Sequence, residues 1–151
     1  MADEIKVTTS LVIKLDNFQY RSFPNAFTAD MATGKGPSPG YIDIPTTGRD
    51  IYFTELTQPA FCVFQNLEDD GGNYFDVGIY EPATRLFYPL LEVNPGEIYV
   101  VKLSRNLMEQ TSQSGTGTTG PENYLRVRAG THTSLPGSGG TVKGFVGAFE
   151  T

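Results

Sequence analysis

The chain has no tryptophan, one cysteine and one histidine among its 151 residues, and each scarcity removes a class of explanation. A single thiol, Cys62, cannot support an internal disulfide framework. Its position between Ala60 and Phe64 in an apolar run reads as a small buried hydrophobe rather than a reactive group. One histidine, His132, cannot build a multi-histidine metal site. No carboxylate is identifiable to orient it as a base, so it reads as a surface loop residue. No apolar run approaches the roughly 18 residues that suggest a membrane-spanning helix. The start, Met1-Ala2-Asp3-Glu4, is acidic and lacks an apolar stretch, so no signal peptide is expected and the protein is expected to be made in the cytoplasm. Cations are in deficit as well: 11 Lys and Arg stand against 17 Asp and Glu, a formal net charge of −6. Such a surface repels phosphate backbones and anionic lipid, so neither nucleic acid nor membrane is expected as a partner.

What the chain does have is aromatic and β-branched residues in short runs, punctuated by 17 Gly and 10 Pro. Phe and Tyr, 10 and 8 residues, supply much of the large apolar volume. The densest stretch is residues 59–103, with runs of about 4–8 residues separated by Asp69-Asp70-Gly71-Gly72, Glu81-Pro82 and Asn94-Pro95-Gly96, the pattern of an antiparallel sheet. Residues 5–15 alternate apolar and polar positions, which predicts a half-buried strand, or a strand pair bent near Thr9, ending at Asp16-Asn17. Further strands are expected at 41–44, 50–56, 124–129 and 142–149. In the 124–129 run Leu125, Val127 and Ala129 face inward and Arg126 and Arg128 outward.

Residues 18–40 are expected to form an irregular excursion with aromatics packed beneath it, and 34–40 to be loop. A short helical turn is expected at 104–110, and flexible loops at 111–121 and 134–140. About eight to ten strands at this spacing predict one all-β domain spanning 1–151: an antiparallel β-sandwich or jelly-roll-like barrel with minimal helix and a possible N-terminal strand or arm over 1–15.

Chemical motifs fail on context. Residues 115–120 match G-x-G-x-x-G, but a dinucleotide site needs a preceding strand and a following helix N-terminus, and Pro121 follows here. Residues 36–40 match G-x-S-x-G, but Pro39 has no N–H to donate to an oxyanion hole. The acidic run at 68–73 could offer oxygens to calcium, yet it lacks the alternating ligand spacing of an EF-hand loop, and Asp-Gly-Gly is first of all hairpin chemistry. No catalytic residue, cofactor or metal site is expected, and the protein is expected not to be an enzyme.

From Gln58 to Ala129 the order of features runs Gln-Pro-x-Phe-Cys-Val-Phe-Gln-Asn-Leu, Asn-Tyr-Phe-Asp-Val-Gly, Phe-Tyr-Pro-Leu-Leu-Glu-Val-Asn-Pro-Gly-Glu and Asn-Tyr-Leu-Arg-Val-Arg-Ala. This resembles small virion structural proteins of tailed bacteriophages, over about half the chain. The resemblance implies a non-enzymatic virion protein, most readily one that decorates or cements the head shell by binding the major capsid protein or another virion protein. A homotrimer is expected on the same ground. A tail or head–tail connector component is the alternative within that class, and a carbohydrate-binding β-sandwich module the alternative outside it. Partner contacts are expected from the N-terminal segment and the 18–40 region, through Ile5, Val7, Leu11, Phe18, Tyr20, Phe23 and Phe27.

Overall fold

The computed structural model describes residues 5–22, 25–29, 36–53, 56, 59–104, 124–130 and 140–150. Among these residues there is no helix. They form twelve strands: β1 (Ile5–Thr9), β2 (Val12–Leu15), β3 (Phe18–Arg21), β4 (Asn25–Ala29), β5 (Ser38–Ile44), β6 (Arg49–Asp50), β7 (Pro59–Asn66), β8 (Phe75–Glu81), β9 (Leu86–Val93), β10 (Ile98–Lys102), β11 (Tyr124–Ala129) and β12 (Val142–Glu150).

The last eight make two four-stranded antiparallel sheets, β10-β7-β12-β5 and β9-β8-β11-β6. Of the seven connections, only β8–β9 stays within a sheet; every other link passes from one sheet to the other. This is the strand order of a jelly-roll sandwich, an open two-layer structure rather than a closed barrel. The inner faces meet in one core. Ile42, Ile44, Cys62, Phe64, Val142, Val146 and Ala148 come from the first sheet, and Phe75, Val77, Val93, Leu125, Val127 and Ala129 from the second. The alternation anticipated for 124–129 holds: Leu125, Val127 and Ala129 are buried, and both arginines lie on the outer face.

Four expectations need correction. The 50–56 strand is only the two-residue β6. Ile51, Phe53 and Leu56 are buried in the core outside any strand, Ile51 still donating its backbone N–H to the Leu125 carbonyl at 2.8 Å. The 34–40 loop is partly strand: Ser38, Pro39 and Gly40 pair with Ala148, Gly147 and Val146. Proline is tolerated there because β5 is an edge strand whose outward side needs no donor. Residues 66–73 do not close a hairpin, since β7 and β8 lie in different sheets.

The fourth correction concerns residues 18–21 and 25–29, which are strands β3 and β4 rather than an irregular excursion. β3 pairs with β2 through a two-residue turn at Asp16-Asn17, and β4 pairs with β1. Leu11 and Ser22 join the two halves: Ser22 N–H donates to the Leu11 carbonyl at 2.8 Å and Leu11 N–H to Ser22 Oγ at 2.6 Å. Strands β1–β4 are therefore the two legs of one long, bent hairpin. The break anticipated near Thr9 is present, at Ser10-Leu11. The helical turn expected at 104–110 and the loops at 111–121 and 134–140, with His132 and the 115–120 motif, lie outside the described residues except for Ser104 and Gly140 at their ends.

Cys62 is fully buried in β7 between Val101 of β10 and Ala148 of β12, and desolvation pushes its thiol far above the usual range. The native protein is therefore expected to resist a thiol reagent such as Ellman's, with reaction becoming rapid only in denaturant. Prompt stoichiometric labelling in native buffer would contradict this packing.

Candidate functional site

The hairpin of residues 5–29 stands apart from the sandwich. Its strands pair with one another and meet the two sheets at isolated points at most. Alternation gives it two unlike sides. In the β2–β3 half, Ile13 lies opposite Tyr20, while Lys14 lies opposite Gln19 and Val12 opposite Arg21. The first side is apolar and the second carries the cations. A two-stranded ribbon has no layer beneath it, so that apolar side stays in water: Phe18 is 59% exposed, Tyr20 50% and Leu11 53%.

Of the anticipated contact residues, Leu11, Phe18 and Tyr20 are thus on an open surface. Ile5 and Val7 are half-buried in β1. Phe27 occupies the β4 position opposite Val7; its side chain, and all of Phe23, lie outside the described residues.

A second open surface was not anticipated. The outer face of the β10-β7-β12-β5 sheet is apolar across its width. Reading the register gives one row Ile98, Gln65, Phe145, Tyr41 and the next Val100, Val63, Gly147, Pro39. Ile98 is 56% exposed, Val100 42% and Tyr41 78%. The Tyr41 ring meets Phe145 edge-on at 5.2 Å between centroids. An apolar inner face is required of any sandwich; an apolar outer face is not. The signal was present in β7, where Phe61, Cys62, Val63 and Phe64 are apolar without alternation, a pattern of burial on both faces.

In the other sheet the edge strand β9 leaves Leu86, Tyr88 and Leu90 exposed, while the outward side chains of β8 and β11 engage one another. Arg126 Nε donates to Asp50 Oδ1 at 2.5 Å, and its guanidinium carbon lies 3.3 Å from the Tyr80 ring centroid. Arg128 sits 4.5 Å from the Phe87 centroid and 3.7 Å from Asp76 Oδ2. Desolvation pushes the Asp76 carboxyl above its ordinary value, against the opposing pull of Arg128, so this group withdraws stability as pH rises through the carboxylate range. These arginines are thus stacked on aromatics and paired with carboxylates.

The motif residues have structural employment. Ser38 is buried in an edge strand. Glu68 Oε1 accepts the Lys143 backbone N–H at 2.8 Å. Among the described residues no group of three or more His, Cys, Asp or Glu could hold a metal ion. At one end of the apolar sheet a shallow cleft opens between Tyr41, Asp43, Leu67 and Lys143. No family model, curated protein or solved structure matches this chain.

Proposed function

We propose that this protein is a structural subunit that acts by assembly rather than catalysis. The particle it joins is the virion of a tailed bacteriophage, where it decorates or cements the head shell by binding the major capsid protein or another virion protein. The observation that carries the assembly reading is the pair of exposed apolar surfaces, the hairpin and the outer face of the β10-β7-β12-β5 sheet. Contiguous apolar area of this kind is uncommon on a monomer and marks interaction sites. The virion assignment rests on the resemblance of residues 58–129 to phage structural proteins, and a jelly-roll sandwich is an architecture that capsid domains use. A place in the tail or at the head–tail connection is the alternative within the same reading.

The test is immunogold labelling of intact particles from the producing lysate, viewed by negative-stain microscopy. Gold spread over the head supports decoration, and gold confined to neck or tail moves the protein to the alternative site. Unlabelled particles, with the protein free in the lysate, would overturn the virion reading. A sugar-binding module is the second reading, favoured by the exposed Tyr41 at a cleft with Asp43 and Lys143, since tyrosine faces stack on sugar rings. Retention on a glycan array that is lost in Tyr41→Ala would then be expected.

A further inference from the structure

Outside the hairpin, exposed apolar side chains gather at one side of the sandwich. Across the core β9 faces β7 and β11 faces β5. The edge strands β9 and β10 therefore share one side, and β5 and β6 share the other. Leu86, Tyr88 and Leu90 of β9 and Ile98, Tyr99 and Val100 of β10 are all exposed.

Edge strands are usually blunted against pairing with other chains, and three of the four here are. β5 carries Pro39, β9 carries Pro89 at its register shift, and β6 has only two residues. β10 has none of these devices: it runs Ile98–Lys102 without proline or bulge, in unbroken register with β7. Its flanks fix which way its main chain points. Asn66 N–H donates to the Glu97 carbonyl and Leu103 N–H to the Ala60 carbonyl, so the odd-numbered residues turn toward β7. By alternation Ile98, Val100 and Lys102 turn their N–H and C=O groups outward. Among the described residues no strand lies on that side.

We infer that β10 pairs with β10 of a second copy, antiparallel about a two-fold axis through Val100, joining two β10-β7-β12-β5 sheets edge to edge. The inference extends the assembly reading above by naming a second copy as one partner. Charge and pairing select that occupant and that register. Of residues 97–102 only Glu97 and Lys102, at opposite ends, are charged. Reversal brings the Lys102 end of each strand to the Glu97 end of the other, whereas parallel pairing would set like ends together. An axis at Val100 also opposes the outward-turned positions to one another, Ile98 to Lys102 and Val100 to Val100, so open donors meet open acceptors along the strand. On the opposite face it sets Tyr99 against Val101, an aromatic–β-branched pair of the kind that stabilises sheets. The exposed side chains of β9 are carried toward the same junction. Such a contact is isologous and closes at two copies, so a dimer is expected rather than the trimer that the phage resemblance implies.

A charge swap in the full-length chain tests this. Val100 is exposed on an edge strand, and circular dichroism with thermal unfolding checks that Val100→Lys and Val100→Glu are folded. Because Val100 opposes its own counterpart, each variant alone sets two like charges face to face, and a mixture sets opposite ones. By sedimentation velocity wild type is expected at twice the 16.5 kDa chain mass. Each variant alone is expected as a monomer, its self-association weakened roughly ten-fold or more, and an equimolar mixture as a dimer. Amide exchange on wild type needs no variant: the Val100 N–H, which points away from β7, is expected to exchange as slowly as those of Tyr99 and Val101.

A wild type that stays monomeric at high micromolar concentration would overturn the inference, as would fast exchange at Val100. So would single variants that still dimerise, or a mixture that stays monomeric. A monomer that labels particles refutes only the two-fold contact, and a dimer absent from particles refutes only the virion.

Discussion

Replacing Asn66 with alanine is expected to lower unfolding free energy by about 3 kcal/mol, because a buried donor–acceptor group tying three chain segments would be lost at once. Asn66 is 1% exposed and sits where β7 leaves its sheet. Its Nδ2 donates to the Asn73 carbonyl at 2.9 Å and to the Val93 carbonyl at 3.0 Å, and its Oδ1 accepts the Glu68 N–H at 3.0 Å. The side chain thereby fixes the crossing from β7 to β8 and anchors the end of β9. Urea unfolding followed by circular dichroism gives the number, and a loss below about 1 kcal/mol would show that these bonds are not held against water.

Asn66→Asp adds a pH signature. The introduced carboxylate cannot donate and faces two carbonyl oxygens, whereas its protonated form regains one donor. Burial and those oxygens raise its folded-state pKa above the ordinary carboxylate value of about 3.9. The folded state then binds more protons than the unfolded one, so the deficit relative to wild type is smallest below that value and widens as pH rises through it. A pH-independent deficit would contradict the geometry.

The second large effect is expected at Gly78. It lies opposite Pro89 at the bulge where the β8–β9 register shifts, and a side chain there would drive into the Tyr88 backbone carbonyl, well inside van der Waals contact. The obstacle is main chain, which cannot step aside as a flexible side chain can. Gly78→Ala is expected to cost about 3 kcal/mol, at the upper end for overpacking, because β9 must lift from β8. At Gly71, by contrast, an added Cβ meets nothing within 4 Å, and its φ of 90° alone sets the cost, so Gly71→Ala is expected to be the milder change. Equal losses at the two sites would show that β9 yields freely.

Much of the sandwich was legible because inner-face alternation leaves a period of two. Leu125, Val127 and Ala129 against Arg126 and Arg128 announce both strand and facing, and the 5–15 alternation announces the outgoing leg of the hairpin. The return leg was misread for a physical reason: Phe18 and Tyr20 look like core residues by composition, and only pairing with β2 far from any second layer leaves them exposed. The β7–β8 crossing was hidden because Asp-Gly-Gly serves a tight turn in either topology. The choice is made by Asn66 bonding to Val93, 27 residues away, which no local pattern carries. The 34–40 segment read as loop because proline is barred from central strands, but an edge strand lifts that bar. Of the open apolar surfaces, the hairpin side with Leu11, Phe18 and Tyr20 was singled out by the sequence, though their exposure alone does not make them contacts; the outer sheet face was not, because an apolar strand does not say which layer covers each side.

The central claim is that the protein functions by assembling onto a particle, with the hairpin as the element that makes the assembly hold. An oligomer binds a repetitive shell with avidity that a monomer lacks. The direct measurement is co-sedimentation of wild type and the Phe18→Thr, Tyr20→Thr variant with purified virions from which the endogenous protein is missing. Wild type is expected in the pellet with the particles, and the folded variant predominantly in the supernatant. Equal pelleting of both would remove the hairpin from the account, and absence of both from the pellet would remove the virion.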